Sequence, residues 1–278
     1  MNYNIVVGSS CDFDENYGQE INYSKVPFTI TIDDENLVDD ETLTGKTLVA
    51  KMKDSINAIK TACPSPNDFL QKYKEAENIF VVTISSKLSG TYNSAVTAKN
   101  MYLEQFEDKV IHVFDSLSAA IGETMIVIKI KELIDDNNSV KEIVEHVDNY
   151  INELKTIFVL ENLDNLIKNG RMNRLKGKFA QFLHIKPILS DDGSGEIKML
   201  DKSRGTKSAL KKLVDNIEIQ GVVHENKKIG IVHCNAPEKA KYVKKLIEER
   251  YVFKEIIIAE ANGLSAVYAD DGGIIVAY

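Results

Sequence analysis

The chain has no tryptophan, and only five prolines and three cysteines among 278 residues. Cys11, Cys63 and Cys234 lie far apart and form no Cys-x-x-Cys pair. Their spacing excludes a disulfide framework and a zinc site, and it fits a reducing, cytoplasmic compartment. Positive charge is also short: 42 acidic residues stand against 34 basic ones, a net charge of −8. Nucleic acid is therefore not an expected partner, because a general binder needs a basic face. No apolar run approaches the roughly 20 residues of a membrane span, so stable membrane insertion is not expected. The start, Met1-Asn2-Tyr3-Asn4-Ile5-Val6-Val7, lacks the basic-then-apolar pattern of a signal peptide. The five histidines (His112, His146, His184, His224, His233) are scattered, with no two at metal-ligand spacing. Gly-x-Ser-x-Gly, Gly-x-Gly-x-x-Gly and Walker patterns are missing too, so neither a metal nor a cofactor is expected.

What remains is an ordinary globular composition, 44% hydrophobic and 27% charged, long enough for about two domains. Asn4–Val7, Ile79–Ile84 and Val110–Phe114 are apolar runs of strand length. Helical spacing over Ala119–Leu133 and Val140–Leu154 follows them. Strand, loop and helix in alternation predict a largely parallel α/β sheet flanked by helices over residues 1–153. Alternation over Val26–Ile32, then Asp33-Asp34-Glu35-Asn36, predicts a hairpin with an acidic turn. Thr44–Asn57 has helical spacing, and Ser65-Pro66 opens a helix running to Glu75. After Leu154 the character changes to a mixed α/β domain, 154–278. Its strands are Thr156–Leu160, Ile185–Leu189, Glu196–Leu200, Lys228–Val232, Glu255–Ile258 and Ile274–Tyr278. Helices are expected up to Leu166 and over Lys178–Leu183, Thr206–Ile217 and Glu238–Arg250.

Two segments carry the functional signal: Thr61-Ala62-Cys63-Pro64-Ser65-Pro66 and Ser85-Ser86-Lys87-Leu88-Ser89-Gly90-Thr91-Tyr92. Each offers small hydroxyls where a helical pattern begins. Two such starts can converge on one anion, since the first N–H groups of a helix lack internal partners. Taken singly, Ser89-Gly90-Thr91 reads as a plain N-cap and Thr61 as a turn residue. Cys63 reads as a small hydrophobe. The basic run Lys202, Arg204, Lys207, Lys211 and Lys212 reads equally well as a solvated helix face or as a docking patch for an acidic partner.

The two segments, in this order and spacing, resemble those of the DegV family of bacterial fatty-acid-binding proteins. Asp115-Ser116, Gly170-Arg171-Met172, Ile185-Lys186-Pro187-Ile188-Leu189 and Lys202-Ser203-Arg204-Gly205 extend the resemblance over essentially the whole chain. It implies a two-domain protein that buries a long-chain fatty acid between its domains. Thr61, Ser89, Gly90 and Thr91 would hold the carboxylate, with Ser9, Ser10 and Tyr268 as neighbours of the head group. Arg171 and Arg204 are expected to dock a partner, a fatty acid kinase for which this chain is the non-catalytic carrier. About fourteen buried methylenes at ~0.8 kcal/mol each offer roughly 11 kcal/mol, so the tail would set affinity and the hydroxyls orientation. Two departures stand out. Ala269 occupies the place of a family histidine, with Asp271-Gly272-Gly273 where the family has Gly-Pro-Gly, and Asp270 and Asp271 add charge that would repel an anion. In the first loop, Gly8-Ser9-Ser10-Cys11-Asp12 replaces Asp-Ser-Thr-x-Asp. The second reading is an enzyme on this fold, using Ser89 on an acyl ester or in phosphotransfer.

Overall fold

The fold is described from a computed structural model covering residues 2–55, 57–106, 109–172, 185–219 and 225–278. The helix expected over Lys178–Leu183 lies outside these residues, as do His184 and His224.

The first strand, β1 (Tyr3–Gly8), is apolar on both faces and is followed by the short α1 (Glu15–Glu20). The alternating run over Val26–Ile32 is not one strand but two, β2 (Tyr23–Val26) and β3 (Thr29–Ile32). Pro27 has no N–H for a ladder, and there the chain leaves one sheet for another. Asp33 and Asp34, at φ 45° and 69°, turn β3 back into β4 (Glu35–Val38), a two-residue hairpin as the acidic turn predicts. Thr44 caps α2 (Gly45–Asp54). A three-residue strand that the sequence pattern does not announce, β5 (Lys60–Ala62), then pairs with β3. Ser65 and Asp68 form the capping box of α3 (Pro66–Lys72), which stops short of the expected Glu75.

Next come β6 (Asn78–Thr83), α4 (Thr91–Leu103), β7 (Val110–Asp115), α5 (Ile121–Asp135) and α6 (Val140–Glu153). Every remaining strand that the sequence predicts after Leu154 is present: β8 (Thr156–Val159), β9 (Ile185–Asp191), β10 (Ile197–Arg204), β11 (Lys228–His233), β12 (Glu255–Glu260) and β13 (Ile274–Ala277). Between them run α7 (Asp164–Lys168), α8 (Thr206–Ile219), α9 (Pro237–Glu248) and α10 (Gly263–Ala269). Of these four helices, α10 has no counterpart in the sequence pattern.

Strands β2-β1-β6-β7 form a parallel sheet, and β10-β9-β8-β13-β11-β12 a mixed one, with β4-β3-β5 as a small antiparallel sheet. Helix α5 is hydrophobic nearly all round, with ten of its fifteen residues buried, because it packs between the parallel sheet and the mixed one. Helices α3 and α4 cover the far face of the first sheet, while α8 and α9 cover that of the second. The architecture is thus mixed α/β, with helices on both faces of each large sheet. Among the described residues no helix is long and apolar enough to cross a membrane.

Candidate functional site

Between the loops of the parallel sheet and the inner face of the mixed sheet lies a cavity of about 880 Å³ counted to its open mouth. Its walls are mainly apolar: Phe28, Ile84, Leu88, Leu117, Phe158, Leu160, Leu166, Leu264 and Ile275. Along β8 the residues alternate as a strand requires. Thr156 and Phe158 line the cavity, as does Leu160 just beyond, while Ile157 and Val159 enter the core beneath α8 and α9.

One end gathers Thr61, Ser89, Tyr268 and Arg171. Thr61 sits on β5, and its hydroxyl is 2.8 Å from that of Tyr268 on α10. Ser89 lies in the loop before α4, its hydroxyl 2.8 Å from that of Thr91. The two hydroxyl segments do meet: a Cβ placed on Gly90 would stand 3.3 Å from the Cys63 sulfur. Their meeting does not rest on two helix starts, however. Thr61 is a strand residue, and the hydroxyl that opens α3, Ser65, is committed to Asp68.

Arg171 reaches the same end through a helix stop. Gly170 follows the C-cap Asn169 with φ 81°. Its N–H donates to the Ile167 carbonyl at 3.1 Å, and the Arg171 N–H to that of Leu166 at 2.9 Å. Only glycine holds that conformation without a steric cost, so Gly-Arg is the sequence form of this turn. The Arg171 Nε then donates to the Leu88 carbonyl at 3.1 Å, and its guanidinium lies 5.9 Å from the centre of the Tyr268 ring. No carboxylate faces it among its described contacts, which leaves a cation at the polar end. Two amides fix the frame: Asn165 donates to the Val267 carbonyl at 2.8 Å and Asn169 to the Ile59 carbonyl at 2.9 Å.

Several expectations are corrected. Arg171 was to face a partner, but it forms part of the cavity wall. Ser9 was to neighbour the head group, yet its hydroxyl donates to Asp39 at 2.6 Å and accepts from the Phe28 N–H, away from the cavity. Thr91 is fully buried and pairs with Ser89, and neither it nor Gly90 lines the cavity. Ser10 lines it, with its hydroxyl donated to Glu123 at 3.0 Å. Arg204 is exposed at the end of β10, in a shallow basic surface with Lys207 and Lys211. Asp270 and Asp271 point away: Asn162 donates to Asp270, while Lys53 at 2.5 Å and Asn235 at 2.8 Å hold Asp271. Ala269 does line the cavity, and its neighbour Tyr268 supplies the donor.

Behind the polar end is a layer of buried acids that the sequence reading passes over. Asp39 accepts from the Leu264 N–H and Asp12 from the Asn262 N–H, so both grip the start of α10. Burial pushes Asp12 up to about 7 and Asp39 above the usual carboxylate range; it lifts Glu123 well above it. The sequence signal was the Asp-containing first loop, but nothing in it tells that Glu123, on a helix over a hundred residues away, completes the layer.

A model of the DegV family, described as uncharacterised, matches residues 2–278. A DegV domain-containing protein of Streptococcus gordonii is 36% identical over 280 residues, covering 100% of this chain and 99% of that protein. The crystal structure of a DegV family protein from Ruminococcus gnavus, refined with vaccenic acid, is 42% identical. It superposes with a TM-score of 0.95 over 99% of each chain. The Streptococcus pneumoniae Fatty Acid Kinase (Fak) B3 protein, loaded with linoleic acid, is 35% identical with a TM-score of 0.91, covering 100% of this chain and 99% of that one. Fold, whole-chain match and relatives agree that the chain belongs to the DegV family.

Proposed function

We propose that this protein binds a long-chain fatty acid in the cavity, its carboxylate held by Thr61, Ser89, Tyr268 and Arg171 and its tail along the apolar walls. The observation that carries the reading is the convergence, at one end of a greasy cavity, of three hydroxyls and one guanidinium that has no carboxylate partner among the described residues. Relatives that hold vaccenic and linoleic acid support it. Residues 1–153 and 154–278 would act as two domains closing on the ligand, in the cytoplasm, where three free cysteines are at home. Chemistry at Ser89 is disfavoured, because its hydroxyl neighbour is Thr91 rather than a base. The protein is read as a non-catalytic carrier that needs no cofactor, presenting the carboxylate to a fatty acid kinase, with the exposed Arg204 surface as the docking face.

Thr61→Val combined with Ser89→Ala removes two hydrogen bonds to a carboxylate. The expected loss in fatty-acid affinity is roughly a hundredfold by titration, with secondary structure retained. Native mass spectrometry of the wild-type protein from a lipid-containing host should show a bound fatty acid. Wild-type protein that never carries lipid, or a double variant of unchanged affinity, defeats the reading. Arg204→Ala should keep lipid binding while lowering acyl phosphate formation with a fatty acid kinase; loss of lipid binding instead would place Arg204 in the cavity's support.

A further inference from the structure

The cavity wall carries a second polar spot. Ser118, in the loop between β7 and α5, and Thr156, the first residue of β8, bring their hydroxyls within 2.6 Å of each other. Both residues are 6% exposed, and both line the cavity. Two hydroxyls in one mutual hydrogen bond use one hydrogen; the other hydrogen and several lone pairs stay unspent. No other hydrogen bond reaches either hydroxyl from the described residues. Room for the pair exists because residue 122 is glycine. A Cβ there would stand 1.9 Å from the Ser118 oxygen and 3.2 Å from that of Thr156.

Position matters as much as chemistry. Thr156 lies four residues before Leu160, on the cavity-facing side of β8, which at ~3.3 Å per residue is about 13 Å along the strand. Past Leu160 the chain enters α7 and then Arg171, the cation of the head-group end. The pair therefore sits at the end of β8 opposite the turn toward Arg171, beside the β9–β10 turn, where Asp191 and Glu196 also line the cavity. The Ser85 N–H, in the loop that leads to Ser89, donates to the Ser118 carbonyl at 2.8 Å. There the Ser85 hydroxyl donates to the Gly195 carbonyl at 3.0 Å, seating that turn against the parallel-sheet loops. A tail of methylenes alone would leave this polar spot unmatched.

We infer that Ser118 and Thr156 form a second, distal polar subsite, and that this protein accepts long-chain fatty acids carrying a hydroxyl in the distal half of the chain. The inference rests on the fatty-acid reading of the same cavity and adds a ligand subclass to it. The ligand hydroxyl takes the free hydrogen of the pair and donates its own to an unused lone pair, so neither is buried unmatched.

The test compares octadecanoic, 2-hydroxyoctadecanoic and 12-hydroxyoctadecanoic acids by competition binding to wild-type protein, Thr156→Val and Ser118→Ala. Wild-type protein should bind the 12-hydroxy acid at least as tightly as octadecanoic acid. In Thr156→Val the 12-hydroxy acid should weaken about tenfold or more, as a hydroxyl buried without a partner does, while octadecanoic acid keeps its affinity. Ser118→Ala should move in the same direction, and the 2-hydroxy acid should not respond to either variant. A 12-hydroxy acid that wild-type protein binds tenfold more weakly than octadecanoic acid overturns the distal subsite and leaves fatty-acid binding standing. So does an unchanged ratio in both variants. Failure of all three acids to bind overturns the fatty-acid reading, and the subsite with it.

Discussion

The serines of the first loop and the hydroxyls of the cavity end are the same chemistry put to opposite uses. Ser9 and Ser10 spend theirs on Asp39 and Glu123, in a layer where both carboxylates are buried. The hydroxyls of Thr61, Ser89 and Tyr268 pair with other hydroxyls, Ser89 also accepting from the Thr91 N–H at 3.4 Å, and stay half-buried at the cavity. A hydroxyl bonded to a buried acid is structural. A hydroxyl bonded to another hydroxyl keeps a hydrogen to give, and that decides which end of the site can receive an anion.

If the acid layer is support and the hydroxyl end is the receptor, damage to the first should cost folding. Gly263 gives the largest effect. It sits at φ 45°, and a Cβ there would fall 1.5 Å from an Asp39 oxygen. Gly263→Ala must displace the carboxylate that holds the Leu264 N–H, combining backbone strain with unsatisfied buried groups. A loss above about 4 kcal/mol is expected in urea unfolding. A loss under about 1 kcal/mol would mean that Asp39 is not held where it is drawn. The double variant Thr61→Val and Ser89→Ala should leave the same unfolding curve nearly unmoved, which is the contrast.

The acid layer also has a pH signature. Burial raises Asp12 to about 7, against 3.8 for an ordinary aspartate. Between those values the folded protein holds a proton that the unfolded chain has released, so stability falls as pH rises from about 4 to 7 and then levels. The total is on the order of a few kcal/mol, shared with Glu123 through their mutual repulsion. Asp12→Asn should flatten that slope while keeping an acceptor for the Asn262 N–H. An unaltered slope would assign it to Asp39 or Glu123. The opposite sign is expected at Glu161. Despite partial burial, Lys186, Lys239 and Thr206 hold it down to about 2, so its contribution is present above pH 4.5 and fades on acidification.

The sequence carried the large elements well because their signals are local. Continuous apolar runs marked β1, β6 and β7, and the Asp-Asp turn marked the β3–β4 hairpin. Pro27 was the signal that Val26–Ile32 could not be a single strand, and the alternation around it hid the break. Of the site, Thr61 and Ser89 were legible as hydroxyls in motif context. Arg171 was legible as a residue but not as a cavity wall, because its placement depends on the Gly170 turn and a carbonyl 83 positions earlier. β5 and α10 are short and take their form from tertiary partners, Ile30 for Thr61 and the buried acids for the α10 start. Spacing along a chain holds no record of such contacts.

The last expectation is the smallest and concerns charges that look hostile on paper. Asp270 and Asp271 follow Tyr268 and Ala269, and a sequence argument has them repelling a carboxylate held nearby. In the fold, Asp271 is half of an ion pair with Lys53 and accepts from Asn235, on a side chain one-third exposed; these partners hold it below the usual carboxylate range. An exposed, paired charge is screened by water and salt, and it stands outside the cavity wall. Asp271→Asn should therefore change fatty-acid affinity by less than about twofold at physiological salt. If affinity instead rose tenfold, the field of that carboxylate would be reaching the head group through the protein, and the division between receptor end and supporting surround would have to be redrawn to include it. The neutral outcome removes Asp271 from the head-group end and leaves Tyr268, whose hydroxyl lies 2.8 Å from that of Thr61, as the α10 group there to test next.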